Sequence, residues 1–212
     1  MKIPWRWSNR GFVWAAIGAL FAVAVVGIGA TVLLQGIFQH QWDSSFVRRL
    51  AAWFPIPAAR VGNRVIPYAT YLVHADAEAR YLSGPTARSQ GVSATMTAEN
   101  KSLALDRAIR TVAVEEFANE RGIVVTPLDV DRVYDGLIAL AGTSTTPGEI
   151  DAMLRDEFGW SAAEFKTYVV RPAFTEKLLQ QKESSSSTDA TAFTKELEGR
   201  LQKPDVIRYL KF

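Results

Sequence analysis

The chain of 212 residues contains no cysteine and only two histidines, and its formal net charge is only +2. Without cysteine there is no disulfide framework, no thiolate-held metal and no thiol nucleophile. Two histidines, His40 and His74, are too few for a multi-histidine metal site. A charge so close to zero argues against a nucleic-acid footprint, so no nucleic-acid partner is expected. A Gly-rich phosphate loop and a nucleophile-elbow pattern are also missing. The acidic pairs Glu115-Glu116 and Asp156-Glu157 are adjacent in sequence. Neighbouring positions on a helix do not face each other, so these pairs read as solvated surface rather than as an acid and base at work. His74 stands in the string His-Ala-Asp-Ala-Glu, which has no metal-ligand spacing, and it reads as a solvated or interfacial side chain. No catalytic residue, metal ligand or cofactor site is assigned, and the chain is read as non-enzymatic.

Charge is absent in a second, local sense. Residues 11–42 carry no Asp, Glu, Lys or Arg, and 23 of them, Phe12 to Leu34, form the most apolar run. As a helix such a run is about 34 Å long, enough for a hydrocarbon core. It is also longer than the apolar region of a cleaved signal peptide. Lys2, Arg6 and Arg10 precede it, with Trp5, Trp7 and Trp14 at one end and Trp42 and Trp53 at or beyond the other. Indole rings favour the headgroup level. The expectation is therefore a single transmembrane anchor over 11–42 in the cell membrane, with residues 1–10 as a cytoplasmic tail and the remainder extracytoplasmic. The lipid bilayer is then a partner, and Gly18 and Ala22 are spaced for a homodimer through close helix approach. Residues 43–57 read as a juxtamembrane segment, with Arg48 and Arg49 towards headgroups. Beyond the tail, 21 basic residues face 22 acidic ones, so the globular part is close to neutral.

The rest reads as mostly α. Ala59-Arg60-Val61 and Arg64-Val65-Ile66 flank Gly62-Asn63, a dipeptide suited to a tight hairpin. A helix carrying Tyr71, Leu72, Ala75, Ala79 and Leu82 follows, then a Gly/Ser/Thr-rich loop over 83–97. Leu105, Ile109, Val112, Ala113 and Phe117 mark one face of a long helix, with Gly122 where its C-cap belongs. Three helix starts follow at Thr126-Pro127, Thr146-Pro147 and Ser161, each with an acid three residues after the capping residue. They predict helices over 127–141, 147–158 and 162–182. Pro172 lies inside the last of these. It cannot donate to the Tyr168 carbonyl, so a kink is expected. The Ser-rich stretch 183–190 reads as a linker, and 191–212 as a helix and strand-like segment packing back on the domain.

The order of these elements carries a resemblance. A hairpin with Val61-Gly62-Asn63 opens the domain, and a long helix ends in Arg121-Gly122-Ile123-Val124-Val125-Thr126. Phe158-Gly159-Trp160-Ser161 with Glu164-Phe165 then introduces the last helix. Over 58–182 the chain resembles the N-terminal chaperone domain of the SurA, PrsA and PpiD-like foldases. That resemblance implies a compact multi-helix domain with a small β-hairpin, completed by a returning C-terminal helix and strand segment. Family members often carry a parvulin-type prolyl isomerase domain. Here 30 residues remain beyond Lys182, far short of a domain of about 100 residues, so no isomerase site is carried over.

The expected function is capture of unfolded or extended exported polypeptides in an apolar helical groove. Met153, Phe158, Trp160, Phe165, Tyr168 and Phe174 are the candidate lining residues, because such side chains offer large area and adaptable packing. Each also suits an ordinary core. The alternative is a non-catalytic scaffold that docks one defined partner.

Overall fold

The Gly62-Asn63 turn joins strand β1 (Pro57–Val61) to strand β2 (Arg64–Pro67) in the computed structural model, which describes residues 31–39, 44–141, 146–186, 192–202 and 206–212. Gly62 takes φ +52°, the left-handed conformation that a tight hairpin needs. Val61 stands opposite Arg64 and Ala59 opposite Ile66, with an irregularity between Pro57 and Ala59. A third strand, β3 (Val206–Arg208), pairs antiparallel with the other edge of β1, giving the order β2-β1-β3. The apolar ending thus supplies a strand, and Leu210 just beyond it is buried.

Helices cover this small sheet. Residues 31–39 form α1, and α2 runs Ser45–Trp53. Pro67 leads from β2 directly into α3 (Tyr68–Ser83). Inside the stretch read as loop, Pro85 opens a short helix, α4 (Pro85–Ser89). Helix α5 (Ala98–Glu120) starts on a capping box between Thr97 and Asn100. It closes at Gly122, φ +65°, where the Ile123 N–H donates to the Ala118 carbonyl at 2.8 Å. Helices α6 (Pro127–Ala141) and α7 (Pro147–Phe158) occupy the spans that their caps and apolar stripes predict. The next predicted helix divides into α8 (Ala162–Phe165), a π turn (Lys166–Val170) and α9 (Arg171–Ser186). Helix α9 thereby continues four residues into the stretch read as linker. Helix α10 (Ala192–Leu201) precedes β3.

Two apolar clusters result. The larger gathers Ala59, Val61 and Ile66 of the sheet, Tyr68, Tyr71 and Leu72 of α3, Leu105, Ile109, Ala113 and Phe117 of α5, Leu179 of α9, and Phe193 and Leu197 of α10. Positions 105, 109, 113 and 117 repeat every four residues, so they form one helical face. The smaller cluster holds Val125, Val130, Tyr134 and Val170, with Phe165, Phe174 and Leu178 packed against it.

The membrane anchor is corrected by this arrangement. Among the described residues no helix is long and apolar enough to cross a membrane. Helix α1, which lies within 11–42, packs on protein: Ile37 is 0% exposed in the larger cluster, and Leu33 and Phe38 lie against it. The Phe38 carbonyl accepts from the Lys211 N–H at 3.1 Å, and its ring is 6.1 Å from that of Tyr209. An apolar run that packs on a protein core has the same composition as one dissolved in lipid, and composition alone does not tell them apart. A single N-terminal transmembrane helix is not supported. Nor is a single-pass location with a cytoplasmic N-terminus and an extracytoplasmic domain. What stands is a mostly helical fold with a three-stranded sheet. The juxtamembrane reading changes too: α2 buries Val47 and Ala51, and Arg48 is paired with Asp76 of α3 at 2.6 and 2.8 Å. Residues 1–30, which include the tail, Trp5, Trp7, Trp14, the Gly18/Ala22 pair and most of the apolar run, and residues 40–43, with His40 and Trp42, lie outside the described residues.

Candidate functional site

Two helices present a second stripe besides the one they bury in the core. On α3 it is His74, Ala77, Glu78 and Tyr81; on α5 it is Arg107, Arg110, Thr111 and Val114. Both follow i, i+3, i+4, i+7 spacing, which places their members on one helical face. Facing them is a wall built by the segment after α7 and by the start of α9. Between the two lies an open cleft of about 640 Å³, within the ~300–1,000 Å³ common for ligand sites.

Local sequence explains the wall. Gly159 ends α7 at φ +74° and turns the chain towards α3. Arg80 of α3 holds that end by donating from Nε to the Asp156 carbonyl at 3.1 Å. Glu157 Oε1 accepts from the Thr86 hydroxyl of α4 at 2.8 Å, whereas its Oε2 is buried without a hydrogen-bond partner. So Glu157 is not simply solvated surface, whereas Asp156 is exposed as expected. Ser161 then caps α8, its hydroxyl accepting from the Glu164 N–H while the Glu164 carboxylate accepts from the Ser161 N–H at 2.8 Å. The hydrogen bonds that the carboxylate accepts from the Ser161 N–H and hydroxyl hold the Glu164 carboxyl below its usual range. The kink expected at Pro172 takes the form of the π turn. Since Pro172 has no N–H for the Tyr168 carbonyl, the helix widens one turn earlier, and the Arg171 N–H donates to the Lys166 carbonyl.

The wall and floor meet in a run of aromatic rings. Tyr81 stacks on Phe158 (centroids 5.8 Å apart, planes 7° apart), and Phe158 lies 5.9 Å from Trp160. Trp160 is 6.2 Å from Tyr168, and both meet His74 edge-on, at 6.3 and 5.5 Å. Offset and edge-on contacts in this range are the favourable ones for aromatic rings. The charges in the cleft are paired. Arg110 makes a two-pronged contact with Glu176 of α9 (2.6 and 3.2 Å), and Arg107 contacts Glu78 at 2.5 Å. The lining is neutral as a set. His74 is not a solvated side chain: it is 4% exposed, and its Nε2 has no hydrogen-bond partner. Burial first, and the Arg107 cation second, push its pKa down to about 4. At neutral pH it is uncharged.

Four of the six residues expected to line a groove are brought together here: Phe158, Trp160, Phe165 and Tyr168 line the cleft, each half-buried. Phe165 also reaches Tyr134, ring centroids 6.3 Å apart, in the smaller cluster. Phe174 packs into that cluster instead of the cleft, and Met153 is 50% exposed away from it. Sequence reasoning missed the floor, His74 and Tyr81 with the Arg107 and Arg110 pairs. The available signal was the second stripe on each helix, obscured because one buried stripe already explained each of them. Among the described residues no group of His, Asp or Glu is arranged to hold a metal ion. No family model matches the chain, and no curated protein or solved structure matches it.

Proposed function

We propose that the protein captures extended polypeptide segments in this cleft, as a chaperone-like binding protein. The observation that carries this reading is the run of half-buried rings, Tyr81, Phe158, Trp160 and Tyr168, lining an open cleft. Aromatic surface left beside solvent is worth burying, and it accepts apolar side chains of varied shape. The paired charges on α3, α5 and α9 leave no net field, which suits a segment without strong charge of either sign. The resemblance to SurA-like N-terminal chaperone domains belongs to the same proposal. It is supported by the hairpin at Gly62-Asn63, the long helix closed at Gly122 and the capped turn at Ser161 leading to Phe165. The proposal includes no catalysis.

The test is suppression of aggregation of an unfolded model protein by the full chain, together with binding of unrelated extended apolar peptides. Wild type is expected to suppress aggregation and bind several such peptides. Trp160→Ala is expected to weaken peptide binding by about 2 kcal/mol, roughly thirtyfold. Binding of one partner alone, with no effect on aggregation, would favour a docking scaffold. Peptide binding unaltered by Trp160→Ala and Phe158→Ala together would remove the cleft from the mechanism.

A further inference from the structure

His74 belongs to α3, yet its ring touches the opposite side of the cleft. It meets Trp160 at 86° and Tyr168 at 75°, so it is the contact through which the Trp160–Tyr168 part of the wall rests on α3, beside the Tyr81–Phe158 stack. The titratable and charged groups around it come from every neighbouring element. Glu78 and Tyr81 lie on its own helix, Arg107 and Arg110 on α5, Tyr168 on the π turn and Glu176 on α9. Both carboxylates already serve a cation, Glu176 through both oxygens to Arg110 and Glu78 through Oε2 to Arg107, which weakens their hold on an imidazolium. The Arg107 cation opposes a second positive charge beside it. The faces of Trp160 and Tyr168 offer a cation less than the water it would lose on burial. A proton on His74 is therefore accommodated by separating the wall from α3.

The backbone is built to give way there. Gly159, in the left-handed conformation, lies at one end of the segment carrying Trp160, and the π turn lies at the other. Helix α7 itself stays in place, because Arg80 and Thr86 hold its last turn. We infer that His74 is a proton-sensitive latch: neutral, it keeps the Trp160–Tyr168 wall closed on α3; protonated, it releases that wall and widens the cleft. This device stands apart from polypeptide capture, and its test needs no ligand.

The experiment is amide hydrogen exchange on the full chain at pH 7.5 and pH 5, corrected for intrinsic rates, comparing residues 160–170 with the core face of α5. An ordinary histidine titrates at 6.5 and His74 in place at about 4. Acidification from about pH 7.5 to about pH 5 thus favours the open wall by about thirtyfold. The expected result is a loss of protection of that size over 160–170, with α5 unchanged. His74→Phe, which cannot take up a proton, is expected to keep the wall equally protected at both pH values. In wild type alone, the His74 ring and Trp160 indole resonances are expected to titrate with one midpoint. Equal wall protection at the two pH values, loosening of α5 together with the wall, the same loosening in His74→Phe, or separate midpoints would each overturn the latch.

Discussion

Truncating Phe193 to alanine asks whether α10 and β3 belong to one cooperative core with the helices that precede them. Phe193 is 1% exposed and meets Phe117 edge-on at 5.8 Å and 73°. Phe117 is itself flanked by the guanidinium groups of Arg121 and Arg200, at 4.7 and 4.0 Å from its ring centroid. Arg200 also contacts Glu120 at 2.7 and 3.0 Å, so α10 is tied to α5 through a ring, a cation and a carboxylate at one place. Deleting a fully buried phenyl ring costs about 3–5 kcal/mol from lost transfer energy and the cavity left behind. The edge-on ring pair accounts for about 1 kcal/mol of that. Phe193→Leu keeps most of the apolar volume, loses the ring contact, and is expected to cost about 1–2 kcal/mol. The assay is urea unfolding of the full chain followed by far-ultraviolet circular dichroism, with the slope on denaturant compared between variants. A loss below about 1 kcal/mol for Phe193→Ala, or an unfolding curve divided into two steps, would refute the idea that α10 completes the core.

Four further outcomes follow from particular contacts. Ile37→Ala is expected to cost about 2–4 kcal/mol in the same unfolding assay, because Ile37 is fully buried in the larger cluster; a negligible change would show that α1 does not dock there. Gly159→Ala is expected to cost about 1–2 kcal/mol, since a β-carbon there would adopt the left-handed conformation and meet Arg80 Cδ at 3.1 Å. Thr146→Ala removes the hydroxyl that accepts from the Glu149 N–H, at a cost of about 1 kcal/mol read from the urea midpoint. Glu149, whose carboxylate accepts from the Thr146 N–H and hydroxyl, is held below its usual range. Its contribution is thus present above pH 4.5 and fades as pH falls through its lower folded value. Melting curves of wild type and Glu149→Gln are expected to converge on acidification, and a constant gap would refute the linkage.

Much of the architecture was legible where one residue carried a strong local preference. Gly62 and Gly122 take the positive φ that a hairpin turn and a helix end require, and Thr146 and Ser161 make the reciprocal caps that their spacing implies. The cap at Thr97 went unread because its partner at the third position is Asn100, not an acid or glutamine. Pro172 foretold a distortion but not its form, because a kink and a π turn both answer a missing N–H. Residues 31–39, the described part of the apolar stretch, misled for a different reason. Hydropathy measures aversion to water and is silent on whether lipid or protein replaces it, and Ile37 finds protein. At the site, Trp160 and Tyr168 announced themselves by type. His74, Arg107 and Glu176 did not, since their roles arise only where three helices meet.

The strand order has a consequence in time as well as in space. Strand β1 lies between β2, its immediate neighbour in sequence, and β3, whose Arg208 pairs with Ala59 from about 150 residues further along. Closing so long a loop is entropically costly and slows folding. During synthesis β1 and β2 emerge together, but the far edge of β1 has no partner strand until β3 has left the ribosome. An uncovered strand edge recruits other chains, so the nascent protein passes through an interval in which it is itself prone to unwanted pairing. Arg60 and Arg64 are exposed on the strands of that half-built sheet, where charge discourages such pairing until Val206 arrives to cover the edge.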